Sequence, residues 1–415
     1  MKIVLFIDNH SMEDVDISSI LNGNPGIGGT QFEMFLLANL FFLKRDNDLD
    51  FNLLLTYPQK GIENKYINVK NLEDVVAYCN THSVDILIMR ENKKIHVLNL
   101  LTRTKVIFWV HNFLNFRFIK EIGNCEKVNR VVFVSKQHYD YYLEYNVNRK
   151  ASYIYNAVSF KDTRCSIGEN KDNIVVFTGN IVPIKRLHLV TKMWPSIIKK
   201  VPDAQLYVIG TGANAHRDAK LGPFNIAEDS YEQIILKPLI KTKTLDTVRF
   251  LGILGSEKNQ IIRKAKAGIS PNKQETFCLS AAEYILNGTP VIGVAKGGLN
   301  DVVINRRTGY LYRSQRKIKK TIIKILTGKI TLNISNEDLN KMELKFGFEA
   351  FYKAWKSLLF DVYNDVPAVK LKASKPIIDK GKFIGVICRF FRDVFHLPEW
   401  FSRLGLYSLI RRRKS

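Results

Sequence analysis

Glu275 and Glu283 stand eight residues apart in the run Gln274-Glu275-Thr276-Phe277-Cys278-Leu279-Ser280-Ala281-Ala282-Glu283. The small and apolar residues between them suit a helix start, and Gly288 followed by Pro290 supplies the stop. Eight residues of helix would span roughly 12 Å. That is long for the paired carboxylates of a glycoside hydrolase, which sit about 5–9.5 Å apart. It fits an extended ligand with hydroxyls at both ends. The first N–H groups of the helix would point between the carboxylates and attract phosphate. Hydroxyls, phosphate, then hydroxyls is the layout of a nucleotide sugar. The bare spacing also has a plainer reading, with one Glu capping the helix and the other in solvent.

Other candidates are weaker alone. Asp14-Val15-Asp16 has the acidic spacing that holds a divalent ion in metal-dependent sugar transferases, but it falls in a polar loop and reads as solvated. Asp46, Asp48 and Asp50 alternate without the glycine and distal glutamate of a calcium loop. His111 follows the apolar run Lys105–Val110, a position at the ligand end of a parallel sheet. Two glycine turns, Gly26-Ile27-Gly28-Gly29-Thr30 and Gly179 to Arg186, each lie between an apolar run and a helical pattern. Glycine there lets a ligand approach the backbone.

Those candidates need a sheet to hold them. Apolar runs at 2–8, 51–56, 85–90, 105–110 and 130–135 alternate with helical patterns at about 31–44, 71–79 and 136–144. After a polar linker at about 161–172, the pattern restarts with strands at 174–178, 205–209, 248–252 and 290–295. Helices are predicted from Leu187 and over 257–266, with no assignment for 213–244. Near-continuous apolar strands separated by helices indicate parallel sheets covered on both faces. The predicted fold is α/β with two Rossmann-like domains. The predicted divisions are 1–165, 166–345, a helix over 346–366 and a basic tail over 367–415. Phe348, Phe351, Tyr352, Trp355, Leu358 and Leu359 recur at three- and four-residue spacing, one buried helix face.

Of 415 residues, 46% are hydrophobic and 25% charged, an ordinary globular composition. Five scattered cysteines, with no C-x-x-C pair, argue against a disulfide framework or zinc site and for a reducing compartment. Met1 to Asp8 reads as a strand rather than a signal peptide, and no apolar run reaches membrane-spanning length. The formal net charge of +24 implies a polyanionic partner. From Pro367 onward, twelve Lys/Arg face three Asp/Glu, interleaved with aromatics. That tail reads either as a helix lying on an anionic membrane or as one packed on the protein's own surface. No nucleic-acid recognition motif accompanies the charge.

Taken with Lys185, the two glutamates and the ordered motifs give a resemblance. Gly28-Gly29, Asn156-Ala157-Val158, Gly179 to Lys185, Pro271, Glu275 to Glu283, Gly288-Thr289-Pro290-Val291, Gly297-Gly298 with Asp301, and Thr308-Gly309 resemble the retaining glycosyltransferases of family 4. The resemblance covers about residues 1–363. It implies the GT-B fold, two Rossmann-like domains facing each other across a cleft, and a final helix crossing back to the first domain. It implies a UDP- or GDP-linked sugar donor, while the basic surface and tail point to a glycan, lipid-linked glycan or phosphate-bearing glycan acceptor at a membrane, in cell-surface polysaccharide or lipopolysaccharide assembly. The implied location is cytoplasmic or peripheral on the cytoplasmic face of the membrane. No metal and no cofactor is implied.

By the resemblance, Lys185 would hold the donor diphosphate, Glu275 the transferred sugar and Glu283 the ribose. The N–H groups near Phe277, Cys278 and Leu279 would receive the pyrophosphate. Gly28 and Gly29 would close over it beside Gly179, and His111 would contact donor sugar or acceptor. Asn180, Cys278 and Ala157 depart from the common pattern, and Arg186 would restore charge lost at Asn180. A nucleotide-sugar epimerase or hydrolase, or a non-catalytic nucleotide-sugar-binding scaffold, are the alternative readings.

Overall fold

The computed structural model describes residues 1–161, 171–214 and 216–374. Most of the predicted linker and most of the amphipathic tail therefore lie outside the described residues. The first domain begins with β1 (Lys2–Ile7), α1 (Gly29–Lys44), β2 (Asp50–Leu55), β3 (Ile67–Asn68) and α2 (Leu72–Thr81). It continues with β4 (Ile86–Met89), β5 (Lys105–Val110), α3 (Phe116–Asn124), β6 (Val128–Phe133), α4 (Lys136–Tyr141) and β7 (Ala151–Tyr153). These strands form one sheet in the order β3-β2-β1-β4-β5-β6-β7. Every pairing is parallel. β4 and β5 are buried almost throughout, as expected of strands covered on both faces.

The second domain opens with β8 (Asp172–Thr178), α5 (Leu187–Ile198), β9 (Gln205–Ile209), α6 (Asp229–Lys241) and β10 (Val248–Phe250). Next come α7 (Lys258–Lys264), β11 (Ala265–Ser270), α8 (Leu279–Leu286), β12 (Val291–Val294), α9 (Leu299–Val302) and β13 (Gly309–Tyr312). Its sheet runs β10-β9-β8-β11-β12-β13, again parallel. Three helices follow: α10 (Gln315–Leu326), α11 (Asn336–Phe346) and α12 (Phe348–Tyr363). Although α12 is the last of the described helices, it packs on the first domain. Trp355 meets Trp109 of β5 edge-on at 4.7 Å, and Tyr352 meets Phe41 of α1 at 5.5 Å.

Several elements differ from the sequence reading. The unassigned stretch 213–244 contains α6, started by Glu228, whose carboxylate accepts the Ser230 N–H. α7 stops at Lys264, because Ala265 already belongs to β11. The predicted helix over 346–366 begins at Phe348, since Gly347 is extended (ψ 157°) and divides α11 from α12. α3, α10 and α11 were not predicted, yet each carries a signal. Asn115 caps α3, Ser335 and Asp338 form a capping box on α11, and α10 buries Ile318, Ile322 and Ile325 along one stripe.

Candidate active site

The C-terminal strand ends of both sheets open onto one cavity of about 420 Å³, within the size range of small-molecule sites. The first-domain wall comes from the loop before α1, Arg90 after β4, His111 and Asn112 after β5, and Asn156 after β7. The second-domain wall comes from Gly179, Asn180 and Lys185 after β8, Asn214 and His216 after β9, Lys258 at the start of α7, and Asn272 to Glu283 after β11.

The domains meet closely around this cavity. An added Cβ on Gly29 would come within 2.9 Å of Leu279, and one on Gly26 within 2.7 Å of Ile253. Arg217 donates to the Gly26 carbonyl at 2.8 Å, the Gln137 N–H donates to Asp301 at 2.7 Å, and the Ser135 hydroxyl donates to the Thr276 carbonyl. Phe277 is fully buried against Tyr155 and Phe346, so it offers the cavity its backbone.

Glu275 is not on a helix. It lies in the loop before α8, held by a β-bridge to Gly297 and by the Gly298 N–H, which donates to its carbonyl at 2.7 Å. The 12 Å helical separation from Glu283 therefore does not apply, because α8 begins only at Leu279. Lys185 Nζ sits 2.6 Å from Glu275 Oε1, and Asn272 Nδ2 donates to the same oxygen. Burial pulls the Lys185 ammonium down and the Glu275 carboxylate pulls it up, for a net rise. At the far end Lys258, 5% exposed, places Nζ 2.8 Å from Glu283. Each glutamate thus has its own lysine.

Cys278 is the N-cap of α8, with φ 87° and no side-chain cap, which leaves the helix N-terminus facing the cavity. A left-handed non-glycine residue is strained, in keeping with glycine being usual there in the resembled family. Burial and the nearby Glu275 push the Cys278 thiol up, so it stays protonated. Gly179 has φ 146° with open space where a Cβ would stand. His111 is 4% exposed and packs on Trp109 at 4.5 Å, with Nε2 unpartnered. Burial, then the Arg90 charge, holds its imidazole well below the ordinary range, hence neutral.

The structure brings Gly28, Gly29, His111, Gly179, Lys185, Glu275, Phe277, Cys278, Leu279 and Glu283 to the cavity. It does not bring Arg186 there. Arg186 makes the left-handed turn (φ 59°) before α5, and its charge bears on His188 instead. The sequence reading missed Arg90, Lys258 and Asn272. Arg90 had a usable signal, its place just past the apolar run Ile86–Met89. Lys258 had none, since a lysine opening a helix usually faces solvent. Asp14, of the acidic triplet, is exposed and 3.4 Å from Lys60, away from the cavity.

Residues 160–342 match the model of the family described as glycosyl transferases group 1. The chain carries a glycosyl transferases group 1 domain. A D-inositol 3-phosphate glycosyltransferase of Corynebacterium glutamicum is 30% identical to it over 139 residues, 33% of this chain and 31% of that protein. A sulfoquinovosyl transferase of Arabidopsis thaliana is 27% identical over 152 residues, 36% of this chain and 25% of that protein. The chain thus spans about a quarter to a third of the length of these curated relatives. Among solved structures, sucrose-phosphate synthase from Thermosynechococcus elongatus aligns at TM-score 0.67 and 16% identity, covering 88% of this chain and all of that one. Anabaena HepE in complex with UDP and glucose aligns at TM-score 0.64 and 14% identity, covering 87% of this chain and all of that one. These likenesses establish the GT-B fold, with the group 1 domain supplying the second-domain wall of the cavity.

Proposed function

We propose that the protein is a retaining glycosyltransferase moving a sugar from a UDP- or GDP-linked donor to a glycan or lipid-linked glycan acceptor. The observation that carries this reading is the Lys185–Glu275 pair beside the uncapped start of α8. A donor diphosphate entering there takes Lys185 and the α8 N–H groups, which frees the Glu275 carboxylate for sugar hydroxyls. Glu283, at the Lys258 end, receives the ribose hydroxyls. The curated relatives named as glycosyltransferases, and HepE in complex with UDP and glucose, support the donor class.

The chemistry is electrostatic. The bond from the anomeric carbon to the diphosphate breaks, and an oxocarbenium-like centre forms. An acceptor oxygen bonds to that carbon from the same face, and its proton passes to the departing phosphate oxygen. Lys185 and the α8 terminus stabilise the charge that develops on the diphosphate. The reading needs no metal, because the Lys185 ammonium and the partial positive charge at the start of α8 supply the counter-charge. His111, neutral and at the cavity wall, positions the donor sugar or acceptor hydroxyl. The net charge of +24 supports a place at the cytoplasmic face of an anionic membrane, in surface polysaccharide or lipopolysaccharide assembly.

Turnover of a panel of UDP- and GDP-sugars tests this. Lys185→Ala should lower it by about 10²–10³-fold with an unchanged circular dichroism spectrum. Near-normal turnover in that variant would overturn the assignment.

A further inference from the structure

The charges of the cavity are unevenly divided between its walls. Among the described lining residues, the second-domain wall carries two carboxylates and two ammonium groups, matched at 2.6 and 2.8 Å. The first-domain wall carries a guanidinium, Arg90, and no carboxylate. Among the described residues, the acid nearest Arg90 is its chain neighbour Glu91, 3.8 Å away and not part of the lining. That contact is long for a charge-assisted hydrogen bond. The Glu91 side chain is 7% exposed, and burial raises its pKa, which weakens it further as a counter-charge. Arg90 Nε is buried without a partner.

Two further polar groups on the same wall are also unsatisfied. His111 Nε2 and Asn156 Oδ1 are buried without partners, on residues 4% and 5% exposed. Buried polar atoms are normally hydrogen-bonded, so unpartnered ones on residues that line a cavity point to a wall whose bonding a ligand can complete with a small side-chain adjustment. Parallel pairing of β4 with β5 sets Arg90 and His111 at neighbouring strand ends. The planar fork of an arginine suits carboxylate and phosphate oxygens, which it can meet with two parallel bonds.

We propose that the first-domain wall is an acceptor subsite for an anionic group, phosphate or carboxylate, with Arg90 as its receptor and His111 beside it. This rests on the glycosyl-transfer reading, in which the donor diphosphate belongs to Lys185 and α8 on the opposite wall. The acceptor is then an acidic sugar or a phosphate-bearing glycan rather than a neutral one.

Thermal shift of the full chain saturated with UDP, or with GDP where GDP is the nucleotide that shifts it, tests it, because the nucleotide fills the donor side. Glycerol 3-phosphate, glucuronate and glucose are added as phosphate, carboxylate and neutral probes. At least one anionic probe should raise the wild-type Tm by about 2 °C or more beyond the nucleotide alone, and glucose should not. Arg90→Gln should abolish that second rise while still responding to the nucleotide, which shows that it is folded. The proposal is overturned if glucose shifts the protein equally, if neither anion shifts it, or if Arg90→Gln keeps the anion response. Loss of the nucleotide response in a folded Arg90→Gln also overturns it, by assigning Arg90 to the donor. If neither UDP nor GDP shifts the wild type, the donor reading fails on its own. The anionic probes without nucleotide, read in wild type against Arg90→Gln, then decide Arg90.

Discussion

Glu33 illustrates how a single side chain couples the core to the cavity rim. It lies in α1, immediately behind the glycine turn, and is fully buried. One carboxyl oxygen accepts the Ala157 N–H at 3.1 Å, and the other has no partner. Burial raises its pKa well above the ordinary carboxyl value. Below about pH 4.5 both folded and unfolded chains hold this proton, and burial costs little. As pH rises the unfolded chain releases it first, so the unfolded state binds fewer protons and stability falls through the folded pKa. Glu33→Gln keeps the acceptor and removes the titration. Its stability advantage over wild type should therefore widen by up to about 1.4 kcal/mol per pH unit above about pH 4.5, until the folded-state group itself ionises. Urea unfolding of both proteins from about pH 5 to pH 8 checks this, and parallel profiles would refute it.

At the scale of elements, the loop between β11 and α8 is held by its backbone as well as by side chains. Gly297 has φ 66°, and a Cβ there would stand 2.2 Å from the Glu275 carbonyl oxygen. The adjoining Gly298 N–H binds that same oxygen. Gly297→Ala must push the Glu275 segment away and break its register with Lys185. A stability loss of roughly 2 kcal/mol is expected, together with lost donor response. Calorimetry and UDP thermal shift read the two effects, and an unperturbed variant would mean the loop is not positioned this way. The signal for the glycine was in the sequence, as Gly297-Gly298. What it packs against was not, because the contact joins residues 22 positions apart in different loops.

Over the whole molecule, α12 ties the end of the described chain to the first domain. Trp355 is fully buried against Trp109, and Trp109 in turn backs His111 at 4.5 Å. Trp355→Ala should cost about 3–5 kcal/mol and lower turnover by loosening the support beneath His111. Trp355→Phe should recover part of both. Urea denaturation beside a turnover assay measures them, and a stability loss with intact turnover would detach α12 from the site.

The sequence by itself determined the alternation of strands and helices, the two glycine turns and the helix stop at Gly288. These are local matters of apolar period and backbone freedom, set by residues within a few positions of each other. It also placed Lys185, Glu275 and Glu283 at ligand-facing ends, because parallel sheets bind at their C-terminal edges. Tertiary structure alone decided which charges meet. Lys185 and Glu275 are 90 residues apart, and Lys258 pairs with Glu283 from a neighbouring helix. Folding also turned Arg186 away from the cavity and left Arg90 there with, among the described residues, only a distant counter-charge. Ion pairing depends on distance and burial in space, and neither is written in the order of residues along a chain.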